Sequence, residues 1–283
     1  MIKKSLFCTL LCLFPALSAQ AAPSVLTYDV YAGGIHGMNA KLTLEEDASR
    51  YSVQLETATI GFLKKLAPWA GTFATTGWVM PGTDRQPETH MSGATWKGET
   101  DRKEYSFAKN GDFLTYKATE SGKDKTPAKL DPALTPKDIS DVLSTTLEAM
   151  ARLGAGETCA QTETIFDGDR NFQMIFVQGA AETLAKSDYN IYQGPAVACT
   201  IEVKPGKGKW HKKPRGWLSL QEQGRKAGTM PTIWFAKLSA AEGAPYMPVK
   251  VRVKTDYGTL FMHLTSYLAP DGKKQAVIIK NDE

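Results

Sequence analysis

From residue 26 onward apolar and polar side chains alternate. Leu26, Tyr28 and Val30 alternate with Thr27, Asp29 and Tyr31, and the chain then turns through Gly33-Gly34-Ile35-His36-Gly37. Ala40, Leu42 and Leu44 next alternate with Lys41, Thr43 and Glu45, followed by Tyr51, Val53 and Leu55. A period of two sends successive side chains to opposite faces, so these stretches predict antiparallel strands with one face buried. Residues 62–66 read as one short helical turn before Pro68, and 72–79 as another strand. Stretches 99–107 and 113–119 flank Asn110-Gly111, a strong hairpin signal. Further strands are predicted at 163–166, 172–178, 196–204, 217–221, 232–238, 249–255, 259–267 and 276–280.

One segment breaks the period of two. Ile139, Val142, Leu143, Leu147, Met150 and Leu153 recur at three and four, which makes one apolar stripe on a helix over 138–153. Thr135 reads as its N-cap, Pro136 as its first residue and Gly154 as its stop. A lone amphipathic helix among strands must bury its stripe against a sheet. The predicted fold is therefore all-β: an antiparallel open barrel or spiral-like curved sheet with that helix packed in its concavity. The proline-rich stretch 123–135 reads as a surface loop, so residues 22–283 are expected to form one domain.

The first residues set the compartment. A positive start with Lys3 and Lys4, an apolar run over 5–17 and Ala19-Gln20-Ala21 have the form of a cleaved signal peptide covering 1–21. Cys8 and Cys12 leave with it, and Cys159 and Cys199 remain in an oxidising compartment, where an isolated pair is expected to form a disulfide. A redox-active pair would call for Cys-x-x-Cys spacing, which is absent.

Charge adds one local feature. The formal net charge is +4, of which Lys3 and Lys4 belong to the leader, so the exported chain lacks the broad positive field of a nucleic-acid binder. Yet Lys204, Lys207, Lys209, Lys212, Lys213 and Arg215 crowd around Trp210 and His211, with Trp217 following. Cations beside an indole suit a phosphate-bearing, partly apolar surface, here an anionic lipid or glycan of the envelope; a solvated loop is the plainer alternative. Asp167-Gly168-Asp169-Arg170-Asn171 starts like a calcium loop, but Phe172 and Gln178 stand where glycine and glutamate belong, so a β-turn is expected. The histidines His36, His90, His211 and His263 show no metal spacing, although Asp29 and His36 could approach across the first hairpin. No nucleophile elbow, P-loop or dinucleotide fingerprint is present, and no cofactor is expected. Phe62, Leu63, Leu66, Trp69, Phe73 and Trp78 could line a lipid cavity or form ordinary core.

Several segments together resemble a family of exported proteobacterial proteins, domain of unknown function 3108. They are Tyr28-Asp29-Val30-Tyr31-Ala32-Gly33-Gly34-Ile35 with Gly37, Gly93-Ala94-Thr95-Trp96-Lys97-Gly98, Cys159 followed by Phe166-Asp167-Gly168-Asp169-Arg170, Tyr192-Gln193-Gly194-Pro195-Ala196 running to Cys199, and Pro248-Val249-Lys250-Val251. The resemblance implies a periplasmic, mostly β protein without an established catalytic centre. It is similar in turn to an envelope-integrity family with an open, spiral-like β structure and one disulfide. Residues 204–215 fall outside the family pattern. The expected function is a non-catalytic periplasmic protein that supports the cell envelope by binding a lipid, glycan or envelope protein, peripheral at most to the membrane. The alternatives are a periplasmic lipid carrier with an apolar cavity and, third, an unrecognised hydrolase.

Overall fold

The computed structural model describes residues 22–210, 217–240, 243–255 and 258–276. Residues 1–21, read as a signal peptide from the sequence, and the segment 211–216, with His211, Lys212, Lys213 and Arg215, lie outside the described residues, as does 277–280 of the last predicted strand. Among the described residues, one 15-stranded antiparallel sheet carries almost the whole chain. Its first half is a meander of β1 (Ser24–Ala32), β2 (Ile35–Glu46), β3 (Arg50–Thr59), β4 (Trp69–Val79), β5 (Arg85–Trp96), β6 (Glu99–Phe107), β7 (Phe113–Glu120) and the two-residue β8 (Lys123–Asp124). Helix α1 (Gly61–Leu66) bridges β3 and β4.

The second half runs through β9 (Gln161–Phe166), β10 (Arg170–Leu184), β11 (Gly194–Gly208), β12 (Thr232–Lys237), β13 (Tyr246–Thr255) and β14 (Gly258–Leu268). β14 pairs with β1, so the two meanders are one surface, and β15 (Lys274–Ala276) adds to β14. The end strands β8 and β9 do not pair, so the sheet curls without closing. Side chains span the gap: the Tyr105 hydroxyl donates to the Phe166 carbonyl at 2.7 Å, and Lys103 ion-pairs with Asp169. The free edge of β9 is itself covered, because the Ser140 amide donates to Thr164 (2.8 Å) and the Phe166 amide to Ser140 (3.1 Å).

Helix α2 (Val142–Gly154) occupies the concavity and touches β4, β5, β9 and β13. Leu143, Leu147, Met150 and Leu153 of the predicted stripe are buried there, whereas Val142 is exposed and Ile139, ahead of the helix, packs with Tyr105, Phe107 and Phe166. Partners of the four buried residues include Leu26, Tyr28, Leu42, Val53, Phe176 and Val249 from strands of both halves. Burial of each such side chain stabilises by about 1.5–3 kcal/mol, so the stripe is what holds the curl in place.

The helix starts later than its sequence suggests. Thr135 and Pro136 follow a short 3-10 turn (Pro132–Leu134), Asp138 adopts φ 59°, and Ile139-Ser140 run extended along β9. The N-cap is Asp141, whose carboxylate accepts from the Leu143 and Ser144 amides. Two further differences concern strands. Residues 217–221 belong to helix α3 (Trp217–Lys226), not to a strand. β11 pairs with β12 only over 197–200, and beyond that the Gln221 side chain substitutes for a strand partner, accepting from the Val203 amide (2.6 Å) and donating to its carbonyl (3.1 Å). Residues Arg85–Trp96, where the sequence shows no clear alternation, form β5. Among the described residues no helix is long and apolar enough to cross a membrane.

One helix residue gives the fold a pH dependence. Glu148 of α2 accepts from the Arg85 amide at 2.9 Å in a half-buried position. Burial pushes its carboxyl up, with Glu163, Asp84 and Asp141 adding repulsion, from the ordinary 4.5 to about 8. The folded protein thus holds a proton there that the unfolded chain gives up. The stabilisation is complete below pH 4.5 and is lost as pH rises through about 8. Glu148→Gln is expected to raise the urea midpoint at pH 8 and leave it unchanged at pH 4.5; equal midpoints at both pH values would refute this.

Candidate functional site

The cysteines are joined: Cys159, just after α2, and Cys199 in β11 form a buried disulfide. The Cys159 amide also donates to the Gln178 side chain (2.9 Å), and Gln178 is the cross-strand neighbour of Cys199. Residues 167–170 form a turn: the Asp167 carboxylate accepts from the Asp169 and Arg170 amides at 3.1 Å and from the Arg170 guanidinium at 2.8 Å. Its ligating oxygens are spent on the chain itself.

The lysine-rich segment is less of a loop than its composition suggests. Lys204 and Lys207 lie on the end of β11, exposed, with Lys209 exposed just beyond. The Lys207 amide is tied to Asn171 (2.7 Å) and that of Lys209 to the Asp169 carbonyl (3.3 Å). Trp210 turns inward, with Phe172 against its edge and the Arg170 guanidinium 4.2 Å over its ring. Trp217 opens α3. The lysines are therefore presented to solvent, whereas the Trp210 indole is engaged with the fold.

The apolar set 62–78 does not converge on one cavity. Phe62 and Leu66 project from α1 at 70% and 62% exposure, Phe73 faces inward, and Trp78 lies beneath Arg50. The concavity is filled by α2 and the core side chains. The spaces left include one of about 350 Å³ at the C-terminal end of α2 and one of about 300 Å³ near its start.

A different set of chemistry-bearing side chains comes together on the outer face, away from α2. Strand register places Trp234 opposite Lys250, Lys250 opposite His263, His263 opposite Asp29 and Asp29 opposite Asn39. Cross-strand neighbours share a face, so these residues form one continuous row over β12, β13, β14, β1 and β2. At one end His36 accepts or donates at Asn39 (2.8 Å), approaches Asp29 at 3.4 Å and stacks on Tyr31. The approach of Asp29 and His36 expected from the sequence is thus present. Tyr189, from the β10–β11 connection, closes on Tyr31 and His263.

At the other end, two cations share one indole. The Lys250 ammonium lies 5.2 Å from the Trp234 ring and 5.3 Å from that of Phe261, while the Arg252 guanidinium lies 5.0 Å from Trp234. Glu182 accepts from the Trp234 Nε1–H at 3.1 Å, and its charge partly offsets the repulsion at Lys250. Among the described residues, neither cation forms an ion pair, and the buried Arg252 Nε and His263 Nδ1 have no hydrogen-bond partner. Desolvation, with Arg252 beside it, lowers the Lys250 amine below its usual range. Desolvation and Lys250 lower His263 to about 4, which leaves its ring neutral at physiological pH.

Three of the five segments that carry the family resemblance meet at this face. The Tyr28 hydroxyl donates to the Pro248 carbonyl at 2.8 Å beneath it. Asn190, two residues before Tyr192, donates to Val249 and accepts from the Tyr192 amide, both at 2.8 Å. Residues 27–265 match the family described as Protein of unknown function (DUF3108). The chain belongs to that family. No curated protein matches it. Among solved structures it is similar to a β-barrel-like protein of domain of unknown function DUF1849 from Brucella abortus, at 13% identity and a TM-score of 0.44, over 87% of this chain and 97% of that one. The outer face is the most developed candidate site among the described residues.

Proposed function

We propose that this DUF3108 protein is exported to the periplasm and supports the cell envelope as a non-catalytic binding protein for an anionic ligand. The ligand class is a phosphate-bearing headgroup or glycan. The observation that carries this reading is the pair Lys250 and Arg252, both over the Trp234 ring and neither in an ion pair among the described residues, with the nearby Glu182 carboxylate engaged at the indole N–H. Holding two desolvated cations together is costly unless an anion completes the site, and the unpartnered Arg252 Nε supplies a further donor. Phe261 and the exposed Tyr189 add an apolar surface for a glycerol or sugar body, while Trp234 itself is buried. The exposed Lys204, Lys207 and Lys209 extend the positive surface that anionic envelope components would meet.

The test is cosedimentation of the exported chain with vesicles of phosphatidylcholine alone or mixed with phosphatidylglycerol, alongside calorimetry with glycerol phosphate and with a phosphorylated glycan. Binding to phosphatidylglycerol vesicles that added salt weakens is the expected lipid result; binding to the glycan alone assigns the source to glycan. Lys250→Gln with Arg252→Gln is expected to weaken either by roughly tenfold or more, the effect of losing one charge-assisted contact of about 1.5–3 kcal/mol. Neutralising Lys209, Lys212, Lys213 and Arg215 separates the contribution of the lysine-rich segment. Binding to none of these phosphates, or unchanged binding by the double variant, would sink the proposal.

A further inference from the structure

The space of about 300 Å³ beside the start of α2 is a separate feature, on the opposite side of the sheet from the cation–indole site. Leu55, Phe73, Tyr105, Leu143 and Phe166 give it a mainly apolar wall. Val142 and Asp167 also line it, and Val142 is 41% exposed, so they mark its mouth. Two polar side chains of β5 share the wall, His90, which is only 7% exposed, and Ser92.

The hydrogen bonds behind His90 fix which atom it offers. Thr75 has one hydroxyl proton, and that proton goes to the Asp141 carboxylate at 2.9 Å. The 2.8 Å contact between Thr75 Oγ1 and His90 Nδ1 therefore has the ring as donor, and Asp141 Oδ1 lies 3.2 Å from the same nitrogen. With the proton on Nδ1, a neutral ring carries its lone pair on Nε2, on the side away from Asp141. Among the described residues nothing hydrogen-bonds to Nε2. The ring cannot easily turn, because it stacks on Tyr105 at 4.8 Å and is pinned by Thr75 and Asp141. Behind it, Ser144 donates to Asp141 at 2.5 Å and so accepts from Tyr51 at 2.7 Å. The whole chain of donors runs toward Asp141 and leaves Nε2 as the ring's oriented acceptor in a mainly apolar cavity that also holds Ser92.

We infer that this cavity binds a small, uncharged, apolar molecule that ends in a hydroxyl group, with the hydroxyl donating to His90 Nε2. The charge of the site selects against the corresponding acids: Asp141 stands behind the imidazole, so a carboxylate at Nε2 would meet a like charge, while Asp167 at the mouth is already paired with Arg170. Simple alkanes would fill the wall but give Nε2 no hydrogen bond. Ser92 shares the lining, yet no hydrogen bond joins it to His90, so the arrangement offers recognition and not an activated nucleophile.

The probe is 1-octanol, compared with octane and octanoate, measured on the exported chain by calorimetry and by methyl shifts of Leu55 and Leu143. Saturable binding of 1-octanol is expected, with octane and octanoate each weaker by roughly tenfold, the ratio for one hydrogen bond of about 1–2 kcal/mol. Val142→Trp at the exposed mouth is expected to abolish octanol binding without changing Tm, because it touches none of the buried network. His90→Phe keeps the ring on Tyr105 and is expected to bring octanol down to the affinity of octane. Should that variant fail to fold, the ligand series and Val142→Trp decide the matter. No octanol binding, equal affinity for octane or octanoate, or binding that survives Val142→Trp would each overturn the inference. Neither probe carries phosphate, so failure here leaves the outer-face proposal standing.

Discussion

Asp141→Ala is expected to lower the unfolding free energy by about 3–5 kcal/mol, from a lost helix cap together with buried donors left without their acceptor. The carboxylate accepts at once from the Leu143 and Ser144 amides (2.9 and 3.2 Å), from the Ser144 and Thr75 hydroxyls, and from His90. Alanine would uncap α2, which alone costs about 0.5–2 kcal/mol, and would leave three buried donors around an empty space. Those donors come from β4, β5 and α2, so the damage reaches both the curl of the sheet and the helix that fills it. Burial by itself would raise the Asp141 carboxyl. The His90 ring and the hydrogen bonds from His90, Ser144 and Thr75 outweigh burial and hold the group below its usual value. Its contribution is therefore present at neutral pH and is lost as pH falls through the depressed value.

Asp141→Asn tests the charge separately. The amide keeps an oxygen for the helix cap but turns a donor toward Ser144 or His90, and an intermediate loss is expected. Thr75→Val removes a single link and should cost about 1–2 kcal/mol. Urea unfolding followed by circular dichroism gives all three values. A loss below about 1 kcal/mol for Asp141→Ala would show that water or repacking replaces the carboxylate, and that the oriented acceptor proposed for His90 is not fixed in place.

How much of this was legible in the sequence depends on whether a feature is local. Alternation in 26–31, 40–45 and 249–255 marks β1, β2 and β13 because each has one apolar face over the core. The stripe of α2 is equally plain. Its start was misplaced because Thr135-Pro136 carries a helix-start signature, while the decisive partners of Asp141 sit on β4 and β5. β5 itself escaped notice: Pro87, Gly93 and the polar run of Gln86, Glu88, Thr89 and Ser92 hide its period, so His90 looked like one more scattered histidine. Residues 217–221 alternate Leu218 and Leu220 with Ser219, which favours a strand, yet Gln221 docks onto Val203 only from a helix. The cation–indole site was half visible. Lys250 and Arg252 alternate with Val249, Val251 and Val253, which puts both on one face; that Trp234 lies across from them is a matter of strand register, which no local pattern reports.

The Cys159–Cys199 pair should have an effect similar in size to that of Asp141. The cysteines are 40 positions apart, and the chain-entropy estimate for a closure of that length is about 4 kcal/mol. Cys159→Ala with Cys199→Ala is therefore expected to lower unfolding free energy by about that amount. The mechanism predicts more than a magnitude. A cross-link that acts by restricting the unfolded chain should speed folding or slow unfolding according to when its loop forms, and should leave native contacts near β11 intact. Because both sulfurs are fully buried, reductant should leave the bond untouched in the folded protein and cleave it only after denaturant is added. The loop it closes contains β9 and β10, the strands whose free edge and turn meet Ser140 and Lys103 across the open seam. Loss of the bond should then raise hydrogen exchange first in 161–178 while β1 and β2 stay protected. Uniform loss of protection would instead mean that the disulfide acts on the whole sheet and that the seam is not its weakest part.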